Sequence, residues 1–138
     1  MRQSAGNERL AGIPLFQGLS AKQLAAVDGL VTTTDVPAGR ELIQQGASGR
    51  EFILVVSGEA EVRRGGDVIA TRGPGTFFGE TALLLDQPRN ASVVAVTDMT
   101  IEVIDRRDFK RLLEENPDLH APLLEATAQR LAELDAHS

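Results

Sequence analysis

The chain contains no cysteine, no tyrosine and no tryptophan, and it has two histidines, His120 and His137. Without cysteine there are no disulfides, no thiolate chemistry and no thiolate-ligated metal. Both histidines fall in the C-terminal segment, which excludes the strand-borne histidine cluster of a metal-dependent β-barrel enzyme and leaves no serine or threonine with a histidine base. No catalytic constellation remains, so the chain reads as a non-enzyme with no cofactor and no metal. A basic surplus is also missing. The formal charge of −6 argues against a sequence-independent grip on nucleic acid, and five phenylalanines are poor material for stacking on single-stranded bases. No apolar run reaches membrane-spanning length and none follows a basic start, so the expectation is a cytoplasmic chain without a membrane segment.

What is present is a change of texture along one domain's length of 138 residues. Residues 1–12 are expected to be a flexible leader, with 13–138 a single domain. Ser20-Ala21-Lys22-Gln23 has the capping-box pattern and opens a short amphipathic helix through about Asp28. From about 31 to 105 short β-rich runs alternate with glycine turns. The strand candidates are Val31–Val36, Glu41–Gln44, Phe52–Val56, Glu59–Arg63, Val68–Thr71, Ser92–Val96 and Thr100–Ile104, with Thr76-Phe77 as an additional one. Strands at this spacing without intervening helices predict an antiparallel sandwich or barrel, and Gly65-Gly66 marks a two-residue hairpin. Asp105 is placed as an N-cap. A helix with Phe109, Leu112 and Leu113 on one face follows, broken at Asn116-Pro117. A last helix starts near Asp118 and carries a stripe of Leu123, Leu124, Ala128, Leu131 and Leu134. The fold class is therefore mainly β with flanking helices: a short N-terminal helix, the strands, and two C-terminal helices over about 106–135.

One segment interrupts the strands. Phe78-Gly79-Glu80-Thr81-Ala82-Leu83-Leu84 is followed by Pro88-Arg89-Asn90-Ala91-Ser92-Val93. Gly79 lets the backbone approach a ligand closely and accepts dihedrals closed to other residues. A helical turn at Glu80–Leu85 turns free N–H groups toward whatever lies before it, which favours an anion. Arg89 supplies a permanently charged fork that matches two phosphate oxygens. Pro88 disfavours helix at Gln87, so the chain re-enters a strand at Arg89. Glu80 would repel a phosphate, but a carboxylate is a good acceptor for a sugar hydroxyl. Read on their own, Glu80 and Arg89 can equally be a surface ion pair, which contributes under about 1 kcal/mol.

The segment resembles the phosphate-binding cassette of the cyclic-nucleotide-binding domain family, of the catabolite activator and cyclic-nucleotide-dependent kinase regulatory type. The pattern there is F-G-E, two or three apolar residues, a short loop, then R-x-A-S/T-V. Gly39, Gln45-Gly46 and Ser57-Gly58 also fall at the family's turn positions, so the resemblance spans about residues 13–131. It implies a jelly roll over about 31–105 and a cassette over about 78–93. It implies that Glu80 takes the ribose 2′-hydroxyl and Arg89 the cyclic phosphate. Phe78, Gly79, Thr81, Ala82, Asn90, Ala91 and Ser92 would complete the cradle. It further implies that the terminal helix covers the base, with Leu131 and Leu134 as the first candidates for a lid and Asp135 next. The ligand implied is cAMP or cGMP. Asn90 follows the arginine where many members have alanine, threonine or serine, and the choice of base stays open with a lean to cAMP.

Two other function classes compare less well. A nucleotide-independent interaction or scaffold module would keep the jelly roll, but intact Glu80 and Arg89 count against it. A dinucleotide loop at Gly73-Pro74-Gly75 fails because the third glycine, Gly79, comes one residue late and no βαβ unit surrounds it. No helix-turn-helix follows the last helix, so direct DNA binding is not expected. A receptor of this kind would report to a separate effector protein or be part of a larger chain, as a monomer or weak dimer.

Overall fold

The computed structural model describes residues 10–85 and 87–137, with the side chains of Thr81, Ala82 and His137 outside the description. Among the described residues, eight strands form two four-stranded antiparallel sheets. In chain order they are β1 (Thr32–Val36), β2 (Glu41–Ile43), β3 (Glu51–Ser57), β4 (Ala60–Arg64), β5 (Asp67–Arg72), β6 (Phe77–Phe78), β7 (Ser92–Ala95) and β8 (Met99–Asp105). One sheet has the order β1-β8-β3-β6 and the other β2-β7-β4-β5. The architecture is an open sandwich of two sheets, which resolves the alternative of a closed barrel. The additional strand expected at Thr76-Phe77 lies one residue later, because Phe77 and Phe78 pair with Leu54 and Ile53 of β3.

The strand residues explain the layering. In β3 the run Phe52-Ile53-Leu54-Val55 is buried on both faces. Phe52 and Leu54 point to the helices, where they meet Phe16, Val27, Ile104, Phe109, Leu112 and Leu123. Ile53 and Val55 point between the sheets, toward Val36, Ile43, Phe78, Val93, Met99 and Ile101. Period-two alternation thus serves two cores at once, and β3 lies between them. The β4–β5 hairpin turns through Gly65 and Gly66 at φ 59° and 89°, the left-handed pair that a tight hairpin turn demands.

The helices are α1 (Ala21–Asp28), α2 (Glu80–Leu85), α3 (Arg106–Glu115) and α4 (His120–His137). Ser20 and Gln23 form the capping box, with bonds of 2.8 and 3.2 Å. Asp105 Oδ1 accepts from the Asp108 N–H at 2.8 Å and starts α3. Gln23 Nε2 donates to Asn116 Oδ1 at 2.8 Å and ties α1 to the end of α3. A single 3-10 turn at Pro117–Leu119 precedes α4, so the last helix starts two residues beyond Asp118, with Pro122 in its opening turn. The packed structure begins earlier than expected. Leu10 is fully buried and Ile13 nearly so, which brings residues 10–12 into the domain; residues 1–9 of the expected leader lie outside the described residues.

The leucine stripe of α4 divides. Leu123 and Leu134 are buried, whereas Leu124 and Leu131 are 52% and 37% exposed. The inward face is Leu123, Thr127, Arg130 and Leu134, at spacings of four, three and four residues. That arrangement places a cation, Arg130, in the middle of a packed helix face.

Candidate functional site

Gly79 sits where β6 ends and α2 begins, at φ 97°. A Cβ there would come within 2.5 Å of the Glu51 carbonyl oxygen and 2.6 Å of Arg89 Nη1. The position therefore admits no side chain, and the space it leaves is filled by the guanidinium of Arg89. That side chain is buried and donates to two main-chain carbonyls: Nη2 to Glu51 O at 2.7 Å and Nη1 to Gly79 O at 3.2 Å. Its backbone is fixed as well, since its N–H donates to Ala47 O and its carbonyl accepts from Gly46 N, both at 2.8 Å. Burial pushes the Arg89 pKa down, and the nearby Glu51 and Glu80 charges push it back up. A guanidinium has five N–H donors and stays charged at working pH, so two neutral carbonyls orient this cation without neutralising it.

Glu80, the first residue of α2, is 1% exposed. Burying a carboxylate so completely is costly unless a cation and hydrogen bonds meet it. The cation is Arg130 of α4. Its Nη1 donates to both carboxylate oxygens, at 2.6 Å to Oε2, and its Nη2 donates to the Phe77 carbonyl. The guanidinium also lies over the Phe77 ring, 4.7 Å from its centroid, and 5.7 Å from that of Phe78. The surface-pair alternative for Glu80 and Arg89 is not what forms: Glu80 pairs with Arg130 and Arg89 with backbone.

These groups surround one cavity, part of it open to solvent. Its wall on the sheet side is apolar, built from Ile43, Val62, Ile69, Ala70 and Val93. Phe78, Gly79, Glu80, Arg89, Asn90 and Ala91 line one region, and Arg130, Glu133 and Leu134 reach in from α4. Arg72 at the end of β5 also lines it, and its Nη2 donates to both oxygens of Glu133, at 2.6 and 2.9 Å. Two ion pairs of opposite polarity, one helical turn apart, thus bind α4 across the cavity.

Most of the expected site residues come together here. Phe78, Gly79, Glu80, Arg89, Asn90, Ala91 and Leu134 line the cavity. Ser92 lies beside it in β7, where its hydroxyl accepts from Gln45 N at 2.9 Å. The side chains of Thr81 and Ala82 lie outside the described residues. Leu131 and Asp135 are exposed and do not line the cavity. Arg130, Glu133 and Arg72 were not expected. The signal for Arg130 was its place at an inward position of α4, between Thr127 and Leu134, where a leucine count passes over it.

The family model described as the cyclic nucleotide-binding domain matches residues 33–116. The chain belongs to the cyclic-nucleotide-binding domain family. A cAMP-dependent protein kinase regulatory subunit from Aspergillus fumigatus is 43% identical over 107 residues, covering 75% of this chain and 26% of that protein. The catabolite activator protein of Thermus thermophilus is 33% identical with a TM-score of 0.77, over 90% of this chain and 61% of that one. The regulatory domain of Toxoplasma gondii PKA, solved with cAMP, is 26% identical with a TM-score of 0.79, over 91% of this chain and 50% of that one. The chain thus spans about a quarter of the fungal relative's length. Among the described residues no helix is long and apolar enough to cross a membrane.

Proposed function

We propose that this domain is a non-catalytic receptor for a cyclic nucleotide, with cAMP as ligand in preference to cGMP, acting in the cytoplasm on a separate effector or as part of a larger chain. The observation that carries the reading is Arg89. A buried cation held by neutral carbonyls, beside a cavity and behind a glycine that admits no side chain, is suited to an anion brought from outside. A singly charged cyclic phosphate fits one such cation. Glu80 lines the same cavity, and a carboxylate with about four lone-pair sites can accept a ribose hydroxyl while it holds Arg130. The cAMP-bound Toxoplasma relative supports the choice of ligand class.

Output in this reading runs through α4. Glu80 serves ligand and helix together, so occupancy of the cavity and docking of α4 share one carboxylate. A ligand that binds better with α4 docked shifts the helix toward that position by its differential affinity. Calorimetric titration of the chain with cAMP and cGMP tests the receptor reading directly. Saturable binding at one site per chain, stronger for cAMP, is expected. No heat and no saturation with either nucleotide would leave the scaffold reading in its place.

A further inference from the structure

The outer face of α3 carries its charges in the order that suits a helix least. Phe109, Leu112 and Leu113 turn inward, which leaves Arg106, Arg107, Lys110 and Arg111 exposed in its first half and Glu114 and Glu115 exposed at its end. A helix is partly positive at its N-terminus and partly negative at its C-terminus, so acids suit the start and bases the end. Here the first turn holds one acid, Asp108, against two arginines, and the last turn holds no base. Arg106 with Lys110 and Arg107 with Arg111 are also like charges four residues apart, a spacing at which they repel. Arg111 is paired within the helix, its Nε donating to Glu115 Oε1 at 3.0 Å. Arg107 and Lys110 have no ion-pair partner among the described residues. Arg50, exposed just before β3, joins them, since its carbonyl accepts from the Arg106 N–H at 2.7 Å.

The chain as a whole has a formal charge of −6, so this concentration of cations runs against the rest of the molecule. Neither helix stability nor net charge accounts for it. We propose that the outer face of α3, together with Arg50, docks an acidic segment of another protein. Four of the five cations are arginines, whose forks match carboxylates with two parallel N–H donors. Residues 106–111 extend over about 8 Å of helix axis, so a short run of carboxylates covers them and ends before Glu114. An anionic bilayer or a nucleic-acid backbone is negative over its whole extent and would also be held against Glu114, Glu115 and a chain of charge −6. The apolar face of α3 is committed to the core, which leaves this helix nothing to insert into a membrane. None of the five cations lines the nucleotide cavity, so the docking face stands whether or not the receptor reading does.

The test titrates a labelled poly-glutamate peptide, read by fluorescence anisotropy, with the wild type, Arg107→Glu with Lys110→Gln, and Arg40→Glu with Arg64→Gln. The last variant makes the same change of net charge outside α3, in the β1–β2 turn and at the end of β4. Wild type is expected to bind, and less tightly as salt is raised. The α3 variant should bind at least about tenfold more weakly, the scale of setting like charges face to face, and the control variant as wild type does. Thermal unfolding of the α3 variant should have a midpoint no lower than that of wild type, because the substitutions relieve like-charge contacts and the conflict with the helix dipole. No binding of the peptide by wild type at low salt overturns the proposal. Equal weakening in both variants does so as well, since the binding would then follow net charge alone. A lowered midpoint in the α3 variant would assign the cations to the fold and sink the argument. Binding to phosphatidylserine vesicles or duplex DNA as tight as to the peptide, or self-association of wild type that the α3 variant loses, would give the face another occupant and overturn it too.

Discussion

Glu80 and Arg130, fifty positions apart in sequence, meet as a carboxylate and a guanidinium that join the first turn of α2 to the middle of α4. The pair is asymmetric, with Glu80 1% exposed and Arg130 20%. Removing the cation takes a charged partner away from a buried carboxylate, whereas removing the carboxylate leaves a cation that can turn to solvent.

Arg130→Ala is therefore expected to destabilise the chain by on the order of 3 kcal/mol, and Glu80→Gln by distinctly less. Combining them should cost less than the sum, because the second change removes the charge that the first one strands. Denaturant melts of the two single variants and the double one check this. Strict additivity would mean that the two residues do not act as a pair.

Gly79→Ala should affect stability and ligand binding together. The backbone at φ 97° is strained for any residue with a Cβ, at about 1–3 kcal/mol. The new methyl also overlaps the space of Arg89 Nη1 and the Glu51 carbonyl. Thermal unfolding and nucleotide titration on the same sample are the measurements. Nucleotide affinity at the wild-type level in a destabilised variant would mean that Arg89 does not need its present position.

Much of this was legible in the sequence because local chemistry decided it. The Ser20–Gln23 capping box, the Asp105 cap and the Gly65-Gly66 hairpin depend on neighbouring residues, and they form where those residues stand. That Gly79, Glu80 and Arg89 line one cavity was legible because the three are close in sequence. Arg130 was not, because its partner lies fifty positions away and its neighbours draw attention to their leucines. Leu124 and Leu131 fit a heptad stripe as well as Leu123 and Leu134 do, and only docking decides which pair faces inward. The core-facing set carries a cation, contrary to the apolar rule, because a buried carboxylate lies opposite.

Arg89→Ala is expected to weaken cyclic-nucleotide binding by well over tenfold, since losing one partner of a buried charge pair costs on the order of 2–5 kcal/mol. The fold should survive, because the bonds lost on the protein side are to two carbonyls. Arg89→Lys should recover only part of the affinity, as an ammonium cannot span both carbonyls and present a fork. Titration of the three proteins with cAMP distinguishes these levels. Wild-type affinity in Arg89→Ala would remove Arg89 from the site.

The remaining expectation concerns α4. Arg130 on Glu80 and Glu133 on Arg72 hold this helix across the cavity, so the helix has a defined docked position from which to respond. A ligand that accepts these contacts and adds its own to Leu134 favours the docked position further, and opening of the helix becomes rarer in proportion. Amide hydrogen exchange across residues 118–137, with and without saturating cAMP, should therefore show slower exchange in α4, together with protection in residues 78–93. Run on Arg130→Ala, the same experiment should show fast exchange in α4 without ligand and a smaller gain with it. Protection confined to 78–93 would separate α4 from the ligand. Faster exchange in α4 on binding would mean that the nucleotide displaces Arg130 from Glu80, and output would then follow release of the helix rather than its closure.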